Sequence, residues 1–186
     1  YLILRNYKDI NLISSKQLDI DFLTSDKNFK YHINGLKKNS YADRVVYSVK
    51  IGDQDYNVDI RTTDDGYYDS NWAKDIISQR IMYESQFFIP GPINEFYSLL
   101  YHSLIHKNNL TNKYIDELSV LAKVIDIDID LSIFASREHS LSLLEDFMSA
   151  KNYEITRPKD FSVQYNYSYK GLKRIIWEFI GRIKNG

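Results

Sequence analysis

The strongest constraint on the fold is a pair of alternating segments separated by a Gly-Asp turn. Residues 44–51 and 54–61 place apolar side chains at every second position, the pattern of a strand with one buried face. The turn itself, Gly52–Asp53, favours a β-hairpin because glycine accepts positive φ. Counted from this turn, the register predicts opposed apolar pairs on one face. These pairs are Val49 with Tyr56, Tyr47 with Val58 and Val45 with Ile60.

Strands precede this hairpin, and helices follow it. Residues 1–5 and the stretch around Leu18, Ile20 and Phe22 also alternate, so the first sixty residues predict three or four strands. Helical spacing and capping residues then predict helices from Asp69 up to Pro90, over 93–106, after Thr111, over 136–150 and over 169–184, with extended structure over 153–166. The fold class is therefore α+β, with a small mixed or antiparallel sheet packed on helices and a helical C-terminal part.

The predicted elements suggest two parts. Residues 1–90 form a strand-rich domain, and residues 91–186 form a helical subdomain with a short extended segment near 153–166. The chain begins with Tyr1 in what reads as a strand, which predicts a piece of a longer chain with a flanking domain.

Composition narrows the possible functions. The chain of 186 residues has no cysteine, which excludes disulfides, cysteine-bound zinc and a thiol nucleophile. Its 24 basic and 25 acidic residues give no strong positive field, which disfavours a nucleic acid as partner. No window approaches the roughly eighteen apolar residues of a membrane span, and the N-terminus does not resemble a signal peptide. We therefore expect no membrane span and a cytoplasmic location.

Three aspartates are the most informative polar residues. Asp19 and Asp21 share one face of a predicted strand, and Asp59 lies on the polar face of the hairpin. Carboxylates brought together on adjacent strands repel one another unless cations lie between them, and magnesium prefers such hard oxygen ligands. An exposed strand face is the alternative interpretation. A second acidic run, 126–130, has no evident third partner and is interpreted as a polar edge or a helix cap.

The strand pattern also predicts where these carboxylates point. If the apolar faces of both strands rest on helices, the three aspartates share the opposite face and converge on two ions about 4 Å apart. If Asp59 lies on the helix-covered side, or on a strand remote from Asp19, the constellation is a coincidence of composition and the enzyme interpretation falls with it.

Several nearby side chains have two interpretations each. Arg5 and Arg61 either bind phosphate with their guanidinium groups or form ion pairs that neutralise the aspartates. Tyr67 and Tyr68 either stack on a base or a sugar or pack as core aromatics; their place in a polar turn after the third aspartate favours stacking.

A histidine pair occurs on a predicted helix. His102 and His106 lie four residues apart, but the neighbouring glutamate and third ligand of a zinc protease are missing. The pair is interpreted as packing, a hydrogen-bond anchor or a ligand contact.

The segments around the aspartates resemble a known superfamily. Residues 18–23 (LDIDFL) and 57–61 (NVDIR) look like the DNA polymerase β type nucleotidyltransferases. The resemblance implies the small sheet of that type and two magnesium ions, with manganese as a substitute, bound by Asp19, Asp21 and Asp59. It also implies transfer of a nucleotidyl group to a hydroxyl. Residues 4–7, 65–69 and 95–107 resemble a bacterial branch associated with surface-polysaccharide gene clusters.

One departure from that superfamily leaves two hypotheses open. Members usually carry a Gly-Ser pair after the first strand, where this chain has Arg5 and Asn6; Ser14, Ser15 and Lys16 are the predicted phosphate ligands instead. The first hypothesis is an enzyme that binds a nucleoside triphosphate and a small hydroxyl acceptor, such as a sugar or glycan precursor. The second is an inactive module that binds a partner or substrate for a neighbouring domain.

Overall fold

The structure is a computed structural model that describes residues 1–8, 19–34, 36–41, 44–51, 53–127 and 129–167. It confirms the α+β class. The described part contains a five-stranded mixed sheet, a two-stranded sheet and five α-helices. No helix in these ranges is both long and apolar enough to cross a membrane.

The main sheet combines parallel and antiparallel pairs. Its strands are β1 (Leu2–Arg5), β2 (Asp19–Thr24), β3 (Lys37–Tyr41), β4 (Arg44–Ile51) and β5 (Gln54–Thr62). They lie in the order β1-β2-β5-β4-β3, and only β2 and β5 run parallel to each other. The predicted register is confirmed for the pairs Tyr47–Val58 and Val49–Tyr56 of β4 and β5. The third pair, Val45–Ile60, stays a prediction. Strand β3 was not predicted.

Of the five α-helices in the described residues, the first, of four residues, lies between β2 and β3, and the other four follow the main sheet along the chain. The helices are α1 (Phe29–His32), α2 (Ser70–Ser78), α3 (Pro92–Tyr101), α4 (Asn112–Val124) and α5 (Arg137–Ala150). A π-helical turn, His102–His106, continues α3, and a 3₁₀ turn, Leu131–Ala135, precedes α5.

Side-chain caps mark the helix starts that the sequence predicts. Asp69 caps α2, Thr111 caps α4 and Ser136 caps α5, each by accepting backbone N–H hydrogen bonds. Asp130 caps the 3₁₀ turn, which confirms the cap interpretation of the acidic run at 126–130.

Helix α2 is shorter than predicted. It ends at Ser78, and a hairpin of β6 (Ile81–Tyr83) and β7 (Phe87–Ile89) occupies the rest of the stretch before Pro90. The physical reason is a turn in which Glu84 and Ser85 adopt positive φ, between two short strands of bulky apolar residues. The prediction of a continuous helix is therefore wrong.

The segment after α5 has no regular secondary structure. Residues 153–166 follow an irregular path and pair with no strand of the described sheets, and the extended structure expected there stays a prediction. The predicted helix over 169–184 lies outside the described residues.

The main core joins the sheet to the helices. Leu2 and Leu4 of β1 and Leu23 of β2 pack with the buried residues of the helices. Fully buried members from the helices are Trp72 and Ile76 of α2, Phe96 and Leu100 of α3, Leu118 of α4 and Leu144 of α5. Residues of both predicted parts of the chain therefore contribute to one core.

The opposite face of the sheet carries a smaller cluster. Ile20 packs there with Ile3 and Tyr7 and with Ile89 of the β6–β7 hairpin. Strand β2 is therefore buried on both faces. The expectation that the Ile20 face is the one covered by the main helices is wrong. In the described part of the chain the β6–β7 hairpin and Phe29 of the short α1, beside Phe22, lie on that face, whereas the buried residues of α2 to α5 belong to the core on the face of Leu23.

Candidate functional site

A polar cleft of about 520 Å³ lies between the sheet and the helical part. Strands β1, β2 and β5 form one wall, and α3, the π-helical turn and α4 contribute the other. The charged side chains that line it are evenly divided between acidic and basic. They are Asp19, Asp21, Asp59, Glu95 and Glu117, and Arg5, Lys8, Arg61, Lys107 and Lys113.

The three predicted aspartates share this cleft. In the parallel pairing of β2 with β5, Asp21 lies directly opposite Asp59, and Asp19 lies opposite Asn57. Asp21 is buried, with 8% of its surface exposed, whereas Asp19 is exposed. The expectation that all three carboxylates share one face of the sheet is therefore confirmed by the register and the cleft.

The side of the sheet is the reverse of the prediction. The carboxylates lie on the helix side, the arrangement that was expected to exclude a shared site. A helix-covered face excludes a site only where helices pack tightly against all of it. In the structure the helices pack against Leu23 but leave the cleft open at Asp21 and Asp59, so the helix side also accommodates a site.

Arg5 holds the buried aspartate. Its Nε donates to Asp21 Oδ2 at 2.9 Å, and its Nη2 lies 2.8 Å from the same oxygen. Nη2 also donates to the Tyr67 hydroxyl at 3.0 Å, and Nη1 donates to the Tyr68 hydroxyl at 3.2 Å. Burial raises the pKa of Asp21, Arg5 lowers it, and the neighbouring Asp59 and Asp19 carboxylates raise it. The ion-pair interpretation of Arg5 is therefore the one observed.

Arg61 pairs with the third aspartate. Its Nη2 donates to Asp59 Oδ2 at 2.6 Å, and its Nη1 donates to Asp160 Oδ2 at 3.1 Å. Burial opposes the charge of Arg61, but Asp59 and the other anionic partners raise its pKa further above the ordinary value. Two of the three aspartates are thus paired with arginines, whereas Asp19 faces solvent.

The three aspartates are chemically suited to bind magnesium, but their side chains are not arranged around a common ion position. Three carboxylates on adjacent strands supply the hard oxygen ligands that magnesium prefers. Within the described ranges, however, no three His, Asp or Glu side chains already surround a common point. The arginine contacts of Asp21 and Asp59 all go to one oxygen, Oδ2, of each carboxylate. A bound ion would therefore be held by the other carboxylate oxygens together with Asp19.

The prediction for Tyr67 and Tyr68 is wrong. Both are buried, with 3% and 2% of their surfaces exposed. The ring of Tyr67 has the Arg61 guanidinium at 4.7 Å and the His106 ring at 3.9 Å, which leaves little room for a stacked base. Tyr68 packs against Trp72 and Tyr101 in the core. Long-range packing buries this turn, although its local sequence is polar.

A hydrogen-bonded chain links the aspartates to the histidines. Arg5 donates to the Tyr67 hydroxyl, which lies 2.8 Å from His102 Nδ1. The phenol hydrogen is then free to donate to Nδ1, which places the hydrogen of neutral His102 on Nε2. Burial, followed by Arg5 and His106, lowers the pKa of His102 well below its usual range. His102 is thus a hydrogen-bond anchor at the cleft wall, whereas neither ring nitrogen of His106 has a hydrogen-bond partner in the described part of the chain.

Several residues of the cleft were not found from sequence. Lys107 directly follows the π-helical turn, Lys113 lies in α4, and the Tyr7 hydroxyl donates to Glu95 of α3. Asp160 reaches Arg61 across 99 positions of sequence. No local pattern marks these residues, because only the packing of the helical part against the sheet brings them to the cleft. The predicted phosphate ligands Ser14, Ser15 and Lys16 lie outside the described residues.

Comparison of the chain with protein-family models, with curated proteins and with solved structures finds no match. The resemblance to nucleotidyltransferases therefore rests on the motifs quoted for it.

Proposed function

We propose that this protein is a magnesium-dependent nucleotidyltransferase with a sheet of the nucleotidyltransferase type. The observation that carries the proposal is the placement of Asp21 opposite Asp59 on parallel neighbouring strands, with Asp19 two residues away at the same cleft. The proposed substrates are a nucleoside triphosphate and a small hydroxyl acceptor such as a sugar or glycan precursor, and manganese would substitute for magnesium.

The balance of the proposed reaction is simple. The acceptor hydroxyl oxygen forms a bond to the α-phosphorus, the bond from that phosphorus to the bridging oxygen breaks, and pyrophosphate leaves. Asp59 takes the hydroxyl proton; its side chain is 37% exposed and within reach of the cleft. Lys107 and Lys113 provide positive charge for the phosphates. When bound, magnesium would neutralise phosphate charge beside Asp19, Asp21 and Asp59.

Calorimetry tests the proposal most directly. Each nucleoside triphosphate is titrated into the protein with magnesium, with manganese and with EDTA. We expect metal-dependent binding that weakens by about tenfold or more in Asp19→Asn. Removing a residue that only orients a metal ligand already lowers metal affinity by about tenfold or more, and removing the ligand itself should lower it at least as much. Asp19 is exposed, so this variant should fold normally. Asp126→Asn, at an exposed position after α4, is the matched control and should bind like the wild type.

A transfer assay then tests the chemistry. Nucleotide transfer with magnesium or manganese is measured over a panel of hydroxyl acceptors, and Asp21→Ala is expected to abolish it. Equal activity in Asp21→Ala and wild type would contradict the assigned site.

A second candidate is an inactive module of the same fold that binds a partner or substrate for a neighbouring domain. The ion pairs Arg5–Asp21 and Arg61–Asp59 favour it, because they neutralise two carboxylates without a metal. The same calorimetry separates the two: absence of any metal-dependent nucleotide binding at millimolar concentration supports the module.

A further inference from the structure

The π-helical turn carries an unusual histidine. His106 lines the cleft, yet only 2% of its surface is exposed, so it lies deep in the cleft wall. In the described part of the chain, three buried side-chain polar atoms lack a hydrogen-bond partner, and two of them are Nδ1 and Nε2 of this ring. Leaving such atoms unpaired loses the hydrogen bonds they would make to water, so an orphaned ring calls for an explanation. Single π-helical turns are also frequent at functional sites.

The surroundings of the ring keep it uncharged. Burial is the main cause, and the positive charges of Arg5 and Arg61 add to it, so that the pKa of His106 falls to about 2. The main chain of Tyr67 acts in the opposite direction but is outside hydrogen-bonding geometry. A neutral imidazole offers one N–H donor and one acceptor nitrogen. That combination suits a hydroxyl group, which both donates and accepts.

His102 adds a second donor of the same kind. Its Nδ1 faces the Tyr67 hydroxyl, which places the ring hydrogen on Nε2. This Nε2–H has no hydrogen-bond partner among the described residues and is available to the cleft that His102 lines. The two rings lie 5.9 Å apart, a spacing that adjacent hydroxyls of one small molecule can bridge. A stacked nucleobase fits less well here, because Arg61 and His106 already contact the ring of Tyr67.

We propose that His102 and His106 form the acceptor subsite of the cleft and bind an uncharged polyhydroxylated group, as found in monosaccharides and polyols, through their ring nitrogens. The role of the bound group as the acceptor rests on the proposed function, but its binding at this subsite requires neither nucleotide nor metal. The charged half of the cleft, around Arg5, Arg61 and the aspartates, is then left for phosphate groups.

The test observes the histidine rings directly. Long-range ¹H–¹⁵N spectra of the wild-type protein are recorded with glycerol, ribitol, glucose and galactose, and separately with adenine and inorganic phosphate, without nucleoside triphosphate or metal. We expect at least one polyol or sugar to shift the ring signals of His102 and His106. The exposed His139 of α5 is the internal control and should not shift. Adenine and phosphate should leave the His106 ring unchanged.

A stability measurement complements the spectra. In the ligand-free protein, His106→Phe removes two unpaired buried nitrogens, so its Tm should rise, by about 2–4 °C, and the variant should lose the shift at His102. His106→Leu repeats the measurement with a smaller side chain, and His139→Gln is the control.

The outcomes separate cleanly. No shift with any of the four hydroxyl compounds, a shift with adenine alone, or a lowered Tm in both His106 variants would overturn the subsite; the last result would show that the ring has a structural partner. Loss of metal-dependent nucleotide binding leaves these results unaffected, so the failure of the proposed function and that of the subsite are distinguishable.

Discussion

Replacing Arg5 by methionine removes the counter-ion of the buried aspartate. Arg5 donates a hydrogen bond from Nε to Asp21 Oδ2, has Nη2 at 2.8 Å from the same oxygen as an ion-pair contact, and donates one hydrogen bond each to the hydroxyls of Tyr67 and Tyr68. Methionine keeps much of the aliphatic stem and removes all of these donors. The Asp21 carboxylate is then left in the cleft wall without a positive partner.

The expected loss of stability follows from the burial of the pair. The side chains of Arg5 and Asp21 are 10% and 12% exposed, so solvent screens the pair only weakly. Removing one partner of a buried ion pair costs about 3–5 kcal/mol. Because Asp21 borders the open cleft and water can reach it, we expect the lower end, about 3 kcal/mol. Urea unfolding near neutral pH, followed by circular dichroism, measures this free energy.

The dependence on pH identifies the cause. Burial already raises the folded-state pKa of Asp21 above its ordinary value of 3.8, and Arg5 opposes this shift, so Arg5→Met raises that pKa further. A raised folded-state pKa stabilises the protein at low pH, and this contribution is lost as pH rises through that pKa. The difference in unfolding free energy between wild type and Arg5→Met should therefore be largest near neutral pH, and it should shrink at lower pH as Asp21 takes up a proton.

A surface pair provides the control. Lys113 and Glu117 lie one turn apart on α4 with 3.9 Å between Nζ and Oε1, and both are well exposed. Lys113→Met should cost no more than about 0.5 kcal/mol. A loss below about 1 kcal/mol in Arg5→Met, or an equal loss at every pH, would refute the buried ion pair as the source of stability.

Further predictions concern single positions. Gly66 has φ of +75°, and a Cβ there would lie 2.6 Å from the Arg157 carbonyl oxygen, so Gly66→Ala should cost more than about 1 kcal/mol in urea unfolding; a neutral effect would contradict this contact. Asp69→Ala removes the cap of α2 and should cost about 1 kcal/mol, with Asp69→Asn largely restoring it. Leu100→Ala, at a fully buried position, should cost about 3 kcal/mol; a loss under about 1 kcal/mol would argue against its place in the core. Because folding lowers the pKa of His106 from 6.5 to about 2, wild-type stability should fall as pH drops below about 6.5, and His106→Phe should fall less steeply.

Local patterns in the sequence predicted elements where the physics is local. The β4–β5 hairpin follows from alternation and a glycine turn, and the helix starts follow from capping side chains such as Asp69 and Thr111. The stretch 81–89 was misassigned because a short run of apolar residues is compatible with either a helix or a strand. There the turn at Glu84 and Ser85 and the contact of β7 with β1 decide for a hairpin.

The sequence by itself determined that Asp19 and Asp21 share one face of their strand and that Asp59 lies opposite the apolar Val58 and Ile60 of its own strand, because side chains alternate along every strand. The tertiary structure decided that Asp59 joins the other two on one face of the sheet, through the parallel register of β2 with β5, since a slip of one residue would turn it to the other face. Which side the helices cover was decided by the tertiary structure. Strand β2 buries Ile20 on one face and Leu23 on the other, and alternation distinguishes two faces without showing which one a helix covers. The pairing of Arg61 with Asp160, and the deep position of His106, likewise come from long-range packing, because each joins segments that are far apart in sequence.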